Sequence, residues 1–101
     1  MSVLMTLRIK GDATKLEQMV ADNPDALSAI SQRGKEYGVT YHRFYATADE
    51  VMVVDVWPDA ESFQRFFAAS PEIGDVMQQA GVTTEPEITF WRKLETNDDI
   101  G

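Results

Sequence analysis

The chain has 101 residues, with 9 lysines and arginines against 17 aspartates and glutamates, which gives a formal net charge of −8 at pH 7. A chain of this length forms one domain, and its charge is expected to repel nucleic acids and anionic membrane surfaces. It contains no cysteine and one histidine, which excludes disulfides, thiolate nucleophiles and multi-histidine metal motifs. The longest apolar run, residues 51–54, is far shorter than the ~18 residues of a membrane helix. No signal-peptide pattern opens the sequence, so we expect a cytoplasmic protein.

The first third of the chain has the pattern of a strand followed by an interrupted helix. Apolar and polar side chains alternate along residues 3–10, which is typical of a strand. Asp12 is placed to cap the helix that follows, because its carboxylate can accept a hydrogen bond from a free backbone amide. The segment 23–25, Asn-Pro-Asp, interrupts this helix and restarts it with Asn23 as the new cap. Gly38 then suits the position directly after the helix.

The middle of the chain predicts two strands joined by a short turn. Residues 39–46 and 51–57 are rich in β-branched and aromatic side chains, and residues 47–50 link them. A link this short makes the two strands an antiparallel hairpin.

The second half of the chain repeats the order of the first. Asp59 can cap a helix that carries an aromatic stripe at helical spacing, formed by Phe63, Phe66 and Phe67. The segment 70–72, Ser-Pro-Glu, repeats the interruption of the first helix, and residues 87–94 have the composition of a fourth strand. Gly-Val-Thr follows the helical segment in both halves, at residues 38–40 and 81–83.

The resulting β-α-β-β-α-β order predicts an α+β fold. With right-handed crossovers, both helical segments lie on one face of a four-stranded antiparallel sheet, which is the ferredoxin-like sandwich. We interpret residues 1–94 as this single domain and residues 95–101 as an acidic tail.

Both faces of the predicted sheet carry apolar side chains. Along residues 51–57, the set that begins at Val51 and the set that begins at Met52 are both mostly apolar. The helices can cover only one face, so a second copy of the sheet is predicted to cover the other, giving a homodimer that closes into an α+β barrel. The alternative is a monomer with an exposed apolar face, which is rare.

A resemblance to a known family follows from residues 55–71. Asp-Val-Trp-Pro-Asp at 55–59, the helix opening at 60–63 and the Ser-Pro pair at 70–71 resemble the antibiotic biosynthesis monooxygenase family, of the dimeric α+β barrel superfamily. The resemblance implies a dimer with a pocket between helices and sheet in each subunit. It also implies, for some members, oxygenation of polyketide-like phenols without metal or flavin. Haem-degrading relatives carry a histidine where this chain has Phe66 and Phe67, so haem ligation lacks its usual ligand here.

The chemistry of cofactor-free oxygenation needs a base, a group that holds an anion and aromatic walls. His42 suits the base, since its charge changes near neutral pH, although a hydrogen-bonded sheet histidine without chemistry is the alternative. Asp55 shares a strand face with Trp57, and can act as an acid or base or form an ion pair with an arginine across the sheet. Trp57, which the family pattern singles out, is a pocket wall or a core residue.

The remaining candidates are substrate-binding residues. Phe67 can line a ligand cavity, and Arg8 and Arg92 can pin a carboxylate or an enolate oxygen, or be solvated strand positions. No phosphate loop, nucleophile elbow or metal-spaced carboxylate cluster is found, so we expect no cofactor and no metal. The sequence leaves two functions open. One is a cofactor-independent monooxygenase for a small aromatic or polyketide-like substrate, and the other is a non-catalytic dimeric module for ligand binding or assembly.

Overall fold

Four strands form one antiparallel sheet, and two broken helical segments cover one of its faces. The computed structural model describes residues 2–82 and 84–101, so Thr83 of the second Gly-Val-Thr segment lies outside the described residues. The strands are β1 (Val3–Lys10), β2 (Tyr41–Ala46), β3 (Glu50–Trp57) and β4 (Glu87–Trp91). The helices are α1 (Ala13–Asp22), α2 (Asp25–Glu36), α3 (Ala60–Ala68) and α4 (Glu72–Gln79). The strand order is β2-β3-β1-β4, which confirms the predicted α+β ferredoxin-like fold, with two helices in each crossover. Within the described residues, no helix has the length and apolar character needed to cross a membrane.

Two strands are shorter than predicted, and backbone hydrogen bonding explains both differences. The strand expected at 39–46 begins at Tyr41, because the amide of Val39 donates to the carbonyl of Gly34 at the end of α2. The strand expected at 87–94 ends at Trp91, where pairing with β1 stops opposite Leu4. Arg92 therefore lies beyond the strand.

Aspartate caps begin α1 and α3 as predicted, whereas the predicted cap of α2 is wrong. Asp12 accepts a hydrogen bond from the amide of Thr14 at 2.9 Å, and Asp59 accepts one from the amide of Ser62 at 2.7 Å. The hydrogen bonds from Ser62 hold the pKa of the Asp59 carboxyl below its usual value. No side chain caps α2, because Asn23 contributes its backbone carbonyl, which accepts from the amide of Ala26 at 3.1 Å.

Glycines in the left-handed region end both helical segments. Gly38 has φ of 103° and Gly81 has φ of 76°, values that L side chains rarely adopt. After each glycine, a valine amide donates back to the last helical turn, Val39 to Gly34 and Val82 to Met77. This pairing is the Schellman motif, so the repeated Gly-Val at 38–39 and 81–82 has the same backbone cause in both halves.

The two faces of the sheet differ in what covers them. The helix-facing side chains form the buried core, which includes Met5, Leu7, Ile9, Val51 and Trp57. On the opposite face, here called the open face, Tyr45 is 50% exposed and Trp91 is 54% exposed. Val54 lies near the middle of the open face, opposite Thr6 on β1. The predicted apolar character of both faces is therefore present in the structure.

We expect opposite changes in stability when alanine replaces two of the glycines. A Cβ at Gly38 would lie 2.7 Å from Cγ of Pro58 in a left-handed backbone, so Gly38→Ala should lower the free energy of unfolding by more than about 1 kcal/mol. Gly74 lies in α4 with open space around it, so Gly74→Ala should raise that free energy by up to about 1 kcal/mol. Urea denaturation of both variants measures the difference, and a stable Gly38→Ala protein would contradict this account of the turn.

Candidate functional site

A cavity of about 100 Å³ lies between the helices and the sheet. Its walls come from β1, β2 and β3 below and mainly from α2, α3 and α4 above. Three of the described lining residues are polar or charged, namely Ser31, His42 and Asp55. The others are apolar side chains and two glycines, so water inside the cavity meets few hydrogen-bonding partners.

Asp55 is the only carboxylate among the described residues that line the cavity, and it is 4% exposed. Its Oδ1 lies 2.6 Å from Nδ1 of His42, and its Oδ2 accepts a hydrogen bond from Nε1 of Trp57 at 3.1 Å. Both carboxylate oxygens therefore have a partner, which is what a buried charge requires.

Strand register brings the three side chains together. His42 on β2 lies directly opposite Asp55 on β3, so their side chains point to the same face of the sheet. Trp57 follows Asp55 by two residues on β3 and shares that face because side chains alternate along a strand. The predicted antiparallel hairpin thus builds the site directly.

The hydrogen bonds decide which ring nitrogen of a neutral His42 is left free. The indole N–H of Trp57 can only donate, so Oδ2 of Asp55 acts as an acceptor. With Asp55 ionised and His42 neutral, the proton of the imidazole resides on Nδ1 and is donated to Oδ1. Nε2 then carries a free lone pair, as in a general base held by a carboxylate. The His42 side chain is 36% exposed, so the ring is not sealed in the core.

Aromatic rings form the wall beside this group. Trp57 is 1% exposed to solvent yet lines the cavity, with the ring of Phe66 at a centroid distance of 5.1 Å. Phe67 is partly buried and stacks on Phe63 at 5.5 Å with an interplanar angle of 25°. Trp57 therefore belongs to the core and to the cavity wall at once.

Four of the six predicted site residues line the same cavity: His42, Asp55, Trp57 and Phe67. The two arginines lie elsewhere. Arg8 is on the open face, where it forms an ion pair with Glu50, and Arg92 follows β4 in an exposed position. Neither arginine is among the lining residues, and their predicted contact with a substrate stays a prediction.

Among the lining residues that the sequence analysis did not identify as site residues, three differ in the signal that could have found them. Phe44 lies two residues after His42 on β2 and packs edge-on against its ring at 5.2 Å, and the strand alternation could have identified it. Gly34 lies inside α2, where a Cβ would come within 3.1 Å of Cγ1 of Val39, and a glycine in a helix interior indicates close packing. No sequence signal identifies Ser31.

The Ser-Pro pair of the family pattern has a structural role in this chain. Ser70 is 1% exposed, and its hydroxyl accepts a hydrogen bond from Nη1 of Arg33 at 3.1 Å. Arg33 also pairs with Glu72, and this contact raises the pKa of the guanidinium and lowers the pKa of the carboxyl. These contacts fasten α2 to the junction of α3 and α4, the helices that cover the cavity.

Comparison with solved structures finds several proteins that share the fold of this chain. SnoaB, a cofactor-independent oxygenase from Streptomyces nogalater, superposes with a TM-score of 0.63 at 15% identity, over 97% of this chain and 98% of that one. A proposed antibiotic biosynthesis monooxygenase from Deinococcus radiodurans gives 0.63 at 14% identity, over 98% and 99% of the two chains. A dimeric ferredoxin-like protein from an uncultured marine organism gives 0.66 at 10% identity, over 98% and 93%.

These similarities establish the ferredoxin-like fold of the chain. At the level of fold, they agree with the resemblance drawn from residues 55–71. No protein-family model matches the chain, and a comparison with curated proteins finds no match.

The hydrogen bond between Trp57 and Asp55 can be tested by a substitution that keeps an aromatic ring. Trp57→Phe removes the indole N–H and leaves Oδ2 of a buried carboxylate without its partner, so the free energy of unfolding should fall by about 1–3 kcal/mol. Gln18→Met is the control, because it removes a donor from the carboxylate of Asp22 at an exposed position of α1 where water can replace it. Its effect should stay within about 0.5 kcal/mol. Equal losses in urea denaturation would contradict this account of Trp57.

Proposed function

We propose that this chain is a cofactor-independent monooxygenase that acts on a small aromatic or polyketide-like substrate. The observation that carries the proposal is the hydrogen-bonded set of His42, Asp55 and Trp57 at the wall of an apolar cavity. In this proposal, His42 is the base, Asp55 is a positioning residue that holds its imidazole, and Trp57 and Phe67 are walls against the substrate ring. The fold of the SnoaB oxygenase supports the same class of reaction.

The proposed reaction uses the substrate itself as the reductant of O₂. Nε2 of His42 removes a proton from a phenol or enol, and the resulting anion gives one electron to O₂. The substrate radical and superoxide then combine into a carbon–oxygen bond, and the peroxide takes up a proton. Loss of water leaves a carbonyl, so one oxygen atom enters the product and the other leaves as water. The apolar walls protect the radical and the peroxide from solvent.

The proposed assembly is a homodimer formed through the open face, in the cytoplasm. Exposed apolar side chains on that face include Leu4, Tyr41, Tyr45 and Trp91. Covering them with a second copy would remove a contiguous apolar surface from water, the usual driving force of association. A structural neighbour described as a dimeric ferredoxin-like protein supports the proposal.

Catalysis can be tested with anthrone and α-naphthol, two aromatic compounds that O₂ converts to quinones and water. We expect the protein to accelerate O₂ consumption and quinone formation with at least one of them. His42→Gln should lower kcat by about 10²–10⁴-fold with little change in binding, because a base acts on the transition state. Arg65→Gln on the exposed side of α3 is the control and should keep the rate. Tight binding without O₂ consumption would contradict the proposed monooxygenase activity and favour a non-catalytic binding module.

Dimerisation can be tested at the middle of the open face. We expect the protein to sediment at twice the 11.3 kDa mass of the chain at micromolar concentration. Val54→Glu should give the monomer, because it places a carboxylate in the centre of the proposed interface. Gln64→Glu, the same change in charge on the exposed side of α3, should leave the dimer intact. A wild-type monomer would refute the proposed assembly.

A further inference from the structure

The cavity combines apolar walls with one carboxylate whose two oxygens each already have a hydrogen-bond partner. We infer that it selects uncharged aromatic compounds with a hydroxyl group and rejects aromatic carboxylates and phosphates. The inference rests on the proposed function, since it names the substrate class of the same site.

The first argument is electrostatic. An anion that enters the cavity comes close to Asp55, in surroundings whose low polarity screens the repulsion only weakly. The anion also loses its hydration shell against walls that offer few donors in exchange. An uncharged phenol avoids both costs, and its ring gains the contact with Trp57 and Phe67.

The second argument concerns hydrogen-bond polarity. When the imidazole of His42 is neutral, Nδ1 donates to Asp55 and Nε2 is an acceptor, whereas the N–H of Trp57 is already used by the same carboxylate. A hydroxyl group can donate to Nε2, whereas an ionised carboxylate or phosphate can only accept. Among the described residues of the lining, the hydroxyl of Ser31 is then the one polar side chain left to serve an anion. The hydrogen-bonding pattern therefore matches a hydroxyl donor.

The positions of two arginine side chains support the same preference for uncharged ligands. Arg8 is held by Glu50 on the open face, and Arg33 is held by Ser70 and Glu72 at the helix junction. Both guanidinium groups thus have acidic partners outside the set of lining residues. The formal net charge of −8 adds a long-range field that disfavours the approach of anions.

The test compares two probes with the same ring system, α-naphthol and α-naphthoate, by isothermal titration calorimetry at neutral pH under nitrogen. We expect α-naphthol to bind and α-naphthoate to bind at least about tenfold more weakly, the scale of a like-charge contact in a poorly screened site. Equal or tighter binding of α-naphthoate would overturn the inference, and so would the absence of binding by both probes.

Asp55→Asn provides a second test within the protein. The side-chain oxygen of asparagine must face the N–H of Trp57, which can only donate, so its amide would donate to Nδ1 of His42 and move the imidazole proton to Nε2. This variant removes the negative charge and presents a donor to the ligand. The preference for α-naphthol should therefore fall at least about tenfold, while Asp59→Asn, the same change at an exposed helix cap, should leave it unchanged.

Binding selectivity and turnover are measured separately, so the two proposals can fail separately. Selective binding with no O₂ consumption would contradict the monooxygenase and leave the ligand class intact. Oxygenation together with equal binding of both probes would support the monooxygenase activity and overturn the inferred selectivity. An Asp55→Asn protein that folds, as judged by circular dichroism, but keeps the full preference would also overturn it.

Discussion

A buried carboxylate is the constraint on which the rest of the site depends. Desolvating Asp55 costs several kcal/mol unless its oxygens are paired, and the fold meets this requirement with one donor from the neighbouring strand and one from its own strand. His42 and Trp57 are thereby held in fixed orientations, one ring partly exposed and the other in the core. The pairing of the buried carboxylate and the orientation of the His42 ring are consequences of the same two hydrogen bonds.

The helices keep the space beside this carboxylate open. Gly34 allows α2 to pack closely against Val39, and Arg33 fastens the same helix to Ser70 at the junction of α3 and α4. Side chains of α2, α3 and α4 therefore cover the cavity, and the ion pair between Arg33 and Glu72 helps to hold these helices in place. A cavity that persists in a domain this small needs such an anchor, because loosely held helices would close on the sheet.

The sequence predicted the order of strands and helices well, because alternation, aspartate caps and glycine ends are local signals. It also contained the central contact of the site. Strands joined across residues 47–50 pair Ala46 with Val51, and counting outward places His42 opposite Asp55. The alternation of β1 likewise assigned Arg8 to the face away from Met5, Leu7 and Ile9, where it is found. Local patterns could not predict that the Asn23 side chain leaves α2 uncapped, or that Ser31 reaches the cavity.

Each connection between strands β1 and β2 and between β3 and β4 consists of two short helices, and this affects which residues can change while the fold is kept. α2 supplies four of the residues that line the cavity, whereas α1 supplies one. Pro24 separates the two helices. Substitutions in α2 can reshape the chamber while α1 preserves the connection between strands and the register of the sheet. Structures at 10–15% identity superpose over nearly the whole chain, so this fold is compatible with very different sequences. An engineer who wanted a larger or smaller chamber would redesign residues 27–34 and leave the sheet untouched.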